Sequence, residues 1–210
     1  MRHTLTAIHG VLLQGHDMQR VVWFVVPLAL IGIAMAAFFA ADIRPKERVL
    51  TFDGLGPVRI GMTVTEAEAA LGKKLAPLDP SNQMDTEACW TTGPADDSDR
   101  GVSYMLWNGK IVRIDIFPSR REGERDVIPS VVTEKNIRLT TPVDDVKKAY
   151  GRDLAINFHI QGDVGNYDFL YMTTLSTDKR HGLFFETWDN KLASFGAATN
   201  AALHLQEGCF

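Results

Sequence analysis

Three patterns of hydrophobic and polar positions run along this chain. From Val21 to Ala41 the sequence reads VVWFVVPLALIGIAMAAFFAA, without a charged residue. About 20 apolar residues suffice for a helix to cross a bilayer core. This run is apolar on every side, unlike the single stripe of a globular helix, so it predicts an N-terminal transmembrane helix. Pro27 does not oppose that reading, because membrane helices tolerate proline. Two later stretches place apolar residues at helical spacing: Val64, Ala67 and Leu71, then Val143, Val146 and Tyr150. The third pattern is alternation. It predicts strands at Arg48–Phe52, Val102–Trp107, Lys110–Phe117 and Asp168–Thr173, with Cys89 and Trp90 on a further strand.

The helical and alternating segments occur twice. VRIGMTVTEAEAALG, Val58 to Gly72, aligns with IRLTTPVDDVKKAYG, Ile137 to Gly151, matching Arg59 to Arg138, Val64 to Val143 and Gly72 to Gly151. LWNGKIVRI from Leu106 aligns with TWDNKLASF from Thr187, matching Trp107 to Trp188 and Lys110 to Lys191. An internal repeat constrains architecture more than any single element does. The expected fold class is α+β: the transmembrane helix, then two tandem helix-plus-antiparallel-sheet repeats. The boundaries are an N-terminal segment at 1–20, the apolar run at 21–41, a first repeat at 42–117, a linker at 118–134 and a second repeat at 135–210. Met18 precedes the apolar run closely enough to be an alternative start.

Local signals refine each copy. Thr63 with Glu66 three residues on is a capping box, each side chain satisfying the other's backbone N–H. In the second copy Thr141 can cap, Pro142 suits the first helical position, and Asp144 and Asp145 complement the helix dipole. Gly72 and Gly151 end the two helices. Asn108-Gly109 between alternating runs is a strong hairpin signal, and Asp189-Asn190 is a weaker form of it.

Charge and cysteine usage bear on compartment. The chain has 210 residues, 45% hydrophobic and 23% charged, with a net charge of -4 and no basic run. Nothing there points to nucleic acid. Arg2 and Arg20 before the apolar run nearly balance Arg44, Lys46 and Arg48 after it, so loop charge alone does not orient the segment. The two cysteines, Cys89 and Cys209, suit an oxidising compartment, where a lone pair is most simply a disulfide. Two buried thiols or a redox pair are the alternatives. Residues 42–210 are accordingly expected on the periplasmic side, anchored through 21–41, or secreted if the leader is cleaved after the small-x-small Ala34-Met35-Ala36.

Gly61-Met62-Thr63 opening a short helix that Leu71-Gly72 ends, followed by an antiparallel meander, resembles the β-lactamase-inhibitor-protein-like (BLIP-like) fold. Thr140-Thr141-Pro142 with Tyr150-Gly151 is a degraded second copy of that motif. Single copies are similar to the small outer-membrane assembly lipoproteins of SmpA/OmlA type. The resemblance implies a non-enzymatic, extracytoplasmic protein that binds other proteins through its sheet. The chain departs from the lipoproteins in having no cysteine just after the apolar run.

Reactive constellations are few. His3, His9 and His16 precede the apolar run, while His159, His181 and His204 are scattered without an HExxH or HxH spacing. His159 with Asp163 and Asp168 is the one arrangement that could hold a small cation, and a satisfied histidine is the simpler account. Asp96-Asp97-Ser98-Asp99-Arg100-Gly101 lacks the distal bidentate Glu of a calcium loop. No catalytic residue, cofactor site or metal site is assigned. Trp107 and Trp188, in equivalent places beside the two turns, are the candidate partner-binding residues, because aromatics anchor interfaces. The expected function is a membrane-tethered protein-binding module whose partner is a cell-envelope protein. The alternative is a proteinaceous inhibitor of an envelope hydrolase of lysozyme or β-lactamase type.

Overall fold

The computed structural model describes residues 47–77, 89–96, 99–120, 123–159, 169–206 and 208–209. All of them belong to one compact unit, Lys46–Phe210. The apolar run at 21–41, Met18 and the first three histidines lie outside the described residues.

The first strands are β1 (Arg48–Thr51), β2 (Gly54–Leu55) and β3 (Val58–Arg59), followed by helix α1 (Val64–Leu71). Then come β4 (Leu75–Pro77), β5 (Cys89–Pro94), β6 (Val102–Trp107), β7 (Lys110–Ile116) and β8 (Val131–Thr133). Helix α2 (Val143–Tyr150) precedes β9 (Ala155–Phe158), β10 (Leu170–Leu175), β11 (His181–Trp188) and β12 (Lys191–Thr199). A 3₁₀ turn at Ala202–His204 follows.

This corrects the expected fold class. Among the described residues, 46% are strand and 17% helix. Among the described residues the α-helices are α1 and α2, eight residues each, and none is long and apolar enough to cross a membrane. Nor do the two halves build sheets of their own. Their strands join into one eight-stranded sheet in the order β4-β5-β6-β7-β12-β11-β10-β9. The seam is β7 against β12, antiparallel, with Ile116 opposite Phe195 and Arg113 opposite Ala198. The physical reason is core size. A two-turn helix covers too little sheet for a unit of this length to bury an adequate core alone, so the halves share one.

A second, four-stranded sheet has the order β3-β2-β1-β8. Strand β8 comes from the stretch expected to be linker, and pairs parallel to β1 with all three residues buried. Parallel partners need a long crossover, and here the intervening chain is most of the first half.

One face of the large sheet packs on both helices and the small sheet. Its core includes Leu50, Leu55, Val58, Ala67, Tyr104, Ile114, Val146, Phe185 and Phe195. The helices are fixed to hairpins by matching backbone bonds. Gly61 N–H donates to Ile111 O at 2.7 Å and Ile111 N–H to Met62 O at 2.8 Å. Thr140 N–H donates to Leu192 O at 2.8 Å and Leu192 N–H to Thr141 O at 2.9 Å. Positive φ is required at both turn starts, 93° at Gly61 and 67° at Thr140.

The capping box of α1 is present, with Thr63 N–H donating to Glu66 Oε2 at 2.8 Å and the Thr63 hydroxyl accepting from Glu66 N–H. Thr141 does not cap α2. Its hydroxyl accepts from Arg138 N–H, Pro142 occupies the cap position, and the free N–H of Val143 donates to Asn190 O in the β11–β12 turn. Tertiary contact replaces the side-chain cap.

Candidate functional site

The other face of the large sheet is the candidate site. Side chains alternate between faces along a strand, and directly opposed residues share a face. Trp107 stands opposite Cys89, which packs in the second core cluster, so Trp107 belongs to this side. Trp188 shares a face with Phe184 and Glu186 on β11 and meets Phe169 edge-on at 5.3 Å between ring centroids. Phe169 in turn stacks on His159 at 4.0 Å. Both tryptophans therefore lie on one face. They are exposed, Trp107 by 43% and Trp188 by 62%, whereas Phe184 beside them is fully buried.

The two tryptophans do not come together. Strands β6, β7, β12 and β11 alternate in direction, so the ends of β6 and β11 lie at opposite ends of the sheet. Trp107 opposes Lys110, Trp188 opposes Lys191, and Phe195 opposes Ile116. Lys191 is four residues before Phe195 and so falls four beyond Ile116, about ten steps from Lys110, or roughly 30 Å at the usual strand rise. Both turns have the left-handed backbone of tight hairpins, with positive φ at Asn108, Gly109, Asp189 and Asn190.

Between them lies a small apolar floor of Met105, Tyr171, Phe184 and Ala198, on which Ala202 and Leu203 of the C-terminal segment sit. Charged groups are set into it. Arg113 is 4% exposed, lies over the Phe184 ring at 3.9 Å and bonds Asp115 at 2.6 Å. Burial opposes its charge, but Asp115, with Tyr171 and Glu186, holds its pKa above the ordinary guanidinium value. Glu186 accepts from the Ser194 hydroxyl through Oε2. Its Oε1 is buried with no hydrogen bond, 3.9 Å from Arg113 Nη2 and 3.8 Å from His159 Nε2.

The C-terminal segment closes over this cluster. Tyr171 donates its hydroxyl proton to Leu203 O at 2.6 Å, and Arg113 Nη1 donates to Leu205 O. Burial raises the Tyr171 pKa despite the neighbouring Arg113, so it remains the donor at neutral pH. Cys89 and Cys209 stand bonded at a Cα separation of 5.2 Å, tying the end of the chain to β5.

Other expected sites dissolve into local pairing. His181 pairs with Asp53 at 2.8 Å, and Asp99 pairs with Arg48 at 2.9 Å. His204 lies in the 3₁₀ turn. Asp163 and Asp168, proposed partners of His159, lie outside the described residues, as do Asp97 and Ser98. Among the described residues no three His, Cys, Asp or Glu side chains group to hold a metal ion. A cleft of about 540 Å³ is lined by Asp53, Lys135, Tyr150, Ser176, Asp178 and Arg180. In it the Ser176 hydroxyl donates to Asp178 Oδ1 at 2.7 Å, and this bond, with Arg180, holds Asp178 well below the carboxylate range.

The sequence reading missed Arg113, Asp115, Tyr171 and Glu186. The signal was present in the alternation of Lys110–Ile116, where Arg113 and Asp115 fall between isoleucines. Alternation of that kind reads as a solvent face, and only the returning C-terminus makes it an inside one. No known protein family, curated protein or solved structure matches this chain.

Proposed function

We propose that this protein is a non-enzymatic binding module of an oxidising compartment, whose partner is a protein of the cell envelope. The contact surface is the tail-side face of the large sheet. The observation that carries the reading is the exposure of Trp107 and Trp188 at the two ends of that face. Tryptophan is enriched among interface residues that dominate binding energy. A standard interface buries ~800 Å² per partner, a patch roughly 30 Å across, so one partner can span both ends. The Cys89–Cys209 pair supports the compartment. The uncharged run at 21–41 fits delivery of the domain to the envelope. The BLIP-like resemblance of Gly61-Met62-Thr63 and Leu71-Gly72 points to the same use of the sheet.

The test is crosslinking of the full chain in its native membranes, with identification of what copurifies. Recovery of one envelope protein in near-equal amount by the wild type, and not by a folded Trp107→Ala/Trp188→Ala variant, supports the reading. Recovery that is indifferent to the double substitution rejects this surface. A hydrolase recovered together with loss of its activity would make the module an inhibitor.

A further inference from the structure

Resting on the reading of Trp188 as a contact residue, we infer that His159 and Glu186 form a proton-operated switch beneath it, which makes binding at that end of the face depend on pH. Two independent observations mark Glu186 as lacking a partner. Its Oε1 is buried without a hydrogen bond, although Oε2 accepts from Ser194. A buried acceptor left in that state is costly. The charges around it are also unbalanced. Arg113 pairs with Asp115 at 2.6 Å and stays 3.9 Å from Glu186 Oε1. Tyr171, whose ring lies edge-on to His159, is kept a neutral phenol by burial. Among the described residues, Arg113, Asp115 and Glu186 therefore sum to one negative charge in a mostly buried cluster.

His159 can answer both deficits. It is buried, and its Nε2 lies 3.8 Å from the same Glu186 oxygen. That distance is too long for a hydrogen bond, as befits a neutral ring. A proton taken from water gives an imidazolium with an N–H on each nitrogen. Closing the gap to about 2.8 Å then makes a charge-assisted bond and neutralises the cluster. Histidine is the side chain whose ordinary charge change falls between about pH 5 and 8. Arg113 opposes the added proton, but the closer Asp115 matches its charge, so Glu186 decides the sign. The movement has a path to the surface. The His159 ring stacks on Phe169, with centroids 4.0 Å apart and planes 17° from parallel. Phe169 in turn supports Trp188 edge-on. A ring drawn roughly 1 Å toward Glu186 leaves that stack, and the exposed Trp188 loses packing that solvent does not replace. Contact through Trp188 is therefore stronger above the histidine range than below it. Trp107, at the far end of the sheet, is indifferent.

Fluorine NMR tests this on the full-length protein carrying fluorotryptophan and ring-labelled ¹³C-histidine. Spectra are followed from about pH 5 to 8. Signals are assigned by Trp188→Phe, Trp107→Phe and His159→Gln. The Trp188 signal is expected to move in one transition that shares its midpoint with the His159 ring, while Trp107 stays still. His159→Gln should abolish the Trp188 transition, and Glu186→Gln should move its midpoint down by at least about half a pH unit. A Trp188 signal that ignores the His159 titration overturns the coupling. A His159 ring that does not titrate in this window, or a midpoint indifferent to Glu186→Gln, overturns the switch. The coincidence of the two wild-type midpoints decides the matter even where Glu186→Gln proves unstable. No partner is present in this measurement, so failure of the switch is distinguished from failure of the tryptophan surface, which crosslinking reads.

Discussion

Arg113 donates a hydrogen bond to the backbone carbonyl of Leu205, 92 residues later, through a side chain that is only 4% exposed. That contact turns the outward side of β7 into an interior. Removing the guanidinium strands Asp115 and Glu186 in partly buried positions, and an uncompensated charge left behind by a broken buried pair is expensive. Arg113→Ala should therefore lower unfolding free energy by about 3 kcal/mol in urea titration. Arg113→Ala combined with Asp115→Ala should cost less than the sum of the two single changes, because the orphan is removed with its partner. Strict additivity would mean that the two do not act as a pair.

Loss of the Cys89–Cys209 bond should act mainly on the unfolded chain. The cysteines are separated by 120 positions, and the loop-entropy argument puts the upper stabilisation at about 4–5 kcal/mol. Cys209→Ser is expected to lower the unfolding free energy by an amount at or below that value, and the denaturation midpoint with it, the wild type matching the variant once dithiol is added. A midpoint unaffected by either treatment would show that the bond does not constrain the unfolded chain.

The tryptophan pair makes a geometric prediction. Trp107 and Trp188 lie at opposite ends of one face, so a partner spanning both should be weakened by each single alanine change. The two losses should add in free energy, as expected for sites far apart. Titration of a purified partner would read this. If one substitution removes all binding and the other none, the contact is confined to one end of the sheet.

Gly196 on β12 has no room for a side chain. A Cβ there would lie 2.1 Å from Ile114 O and 2.4 Å from the Phe184 ring. Gly196→Ala must push the ring off the tail-side floor or part β7 from β12, at a cost of at least about 2 kcal/mol, toward the upper end for overpacking. Thermal unfolding of this variant should fall by several degrees, while Gly109→Ala, with open space around its Cβ, should suffer chiefly from its positive φ.

Tyr104 is fully buried in the helix-side core, and its hydroxyl has no hydrogen-bond partner. Burial pushes its pKa to about 12. Because the folded value exceeds that of the unfolded phenol, its contribution to stability is complete below pH ~10 and is lost as pH rises through about 12. Tyr104→Phe should remove an unsatisfied buried group, raise stability at neutral pH by about 1 kcal/mol, and flatten alkaline unfolding in that window. A destabilised Phe variant would reveal a bond to the hydroxyl.

Several features follow from neighbours in sequence and were readable there. The Thr63–Glu66 capping box depends on residues three apart, and the Asn108-Gly109 turn on two adjacent residues able to take positive φ. The apolar faces of α1 and α2 depend only on helical spacing, and Ala67, Val143, Val146 and Tyr150 are buried as that spacing requires. Composition likewise limited the chemistry, since the chain has two cysteines and no basic run. Each is a local property, in which the energy comes from groups close along the chain.

What tertiary structure decided is everything that depends on which surfaces meet. Two copies of similar sequence merged into one sheet through β7 and β12 because neither half could bury a sufficient core alone. Alternating strand directions then carried Trp107 and Trp188 to opposite ends, although their local settings are alike. Val131–Thr133 became a buried strand beside β1 although the stretch 118–134 around it is rich in Arg and Glu. The returning C-terminus converted Arg113, Asp115 and Glu186 from an apparent solvent face into a charged interior. Alternation in a sequence states that two faces differ, and only the packed molecule determines what covers each.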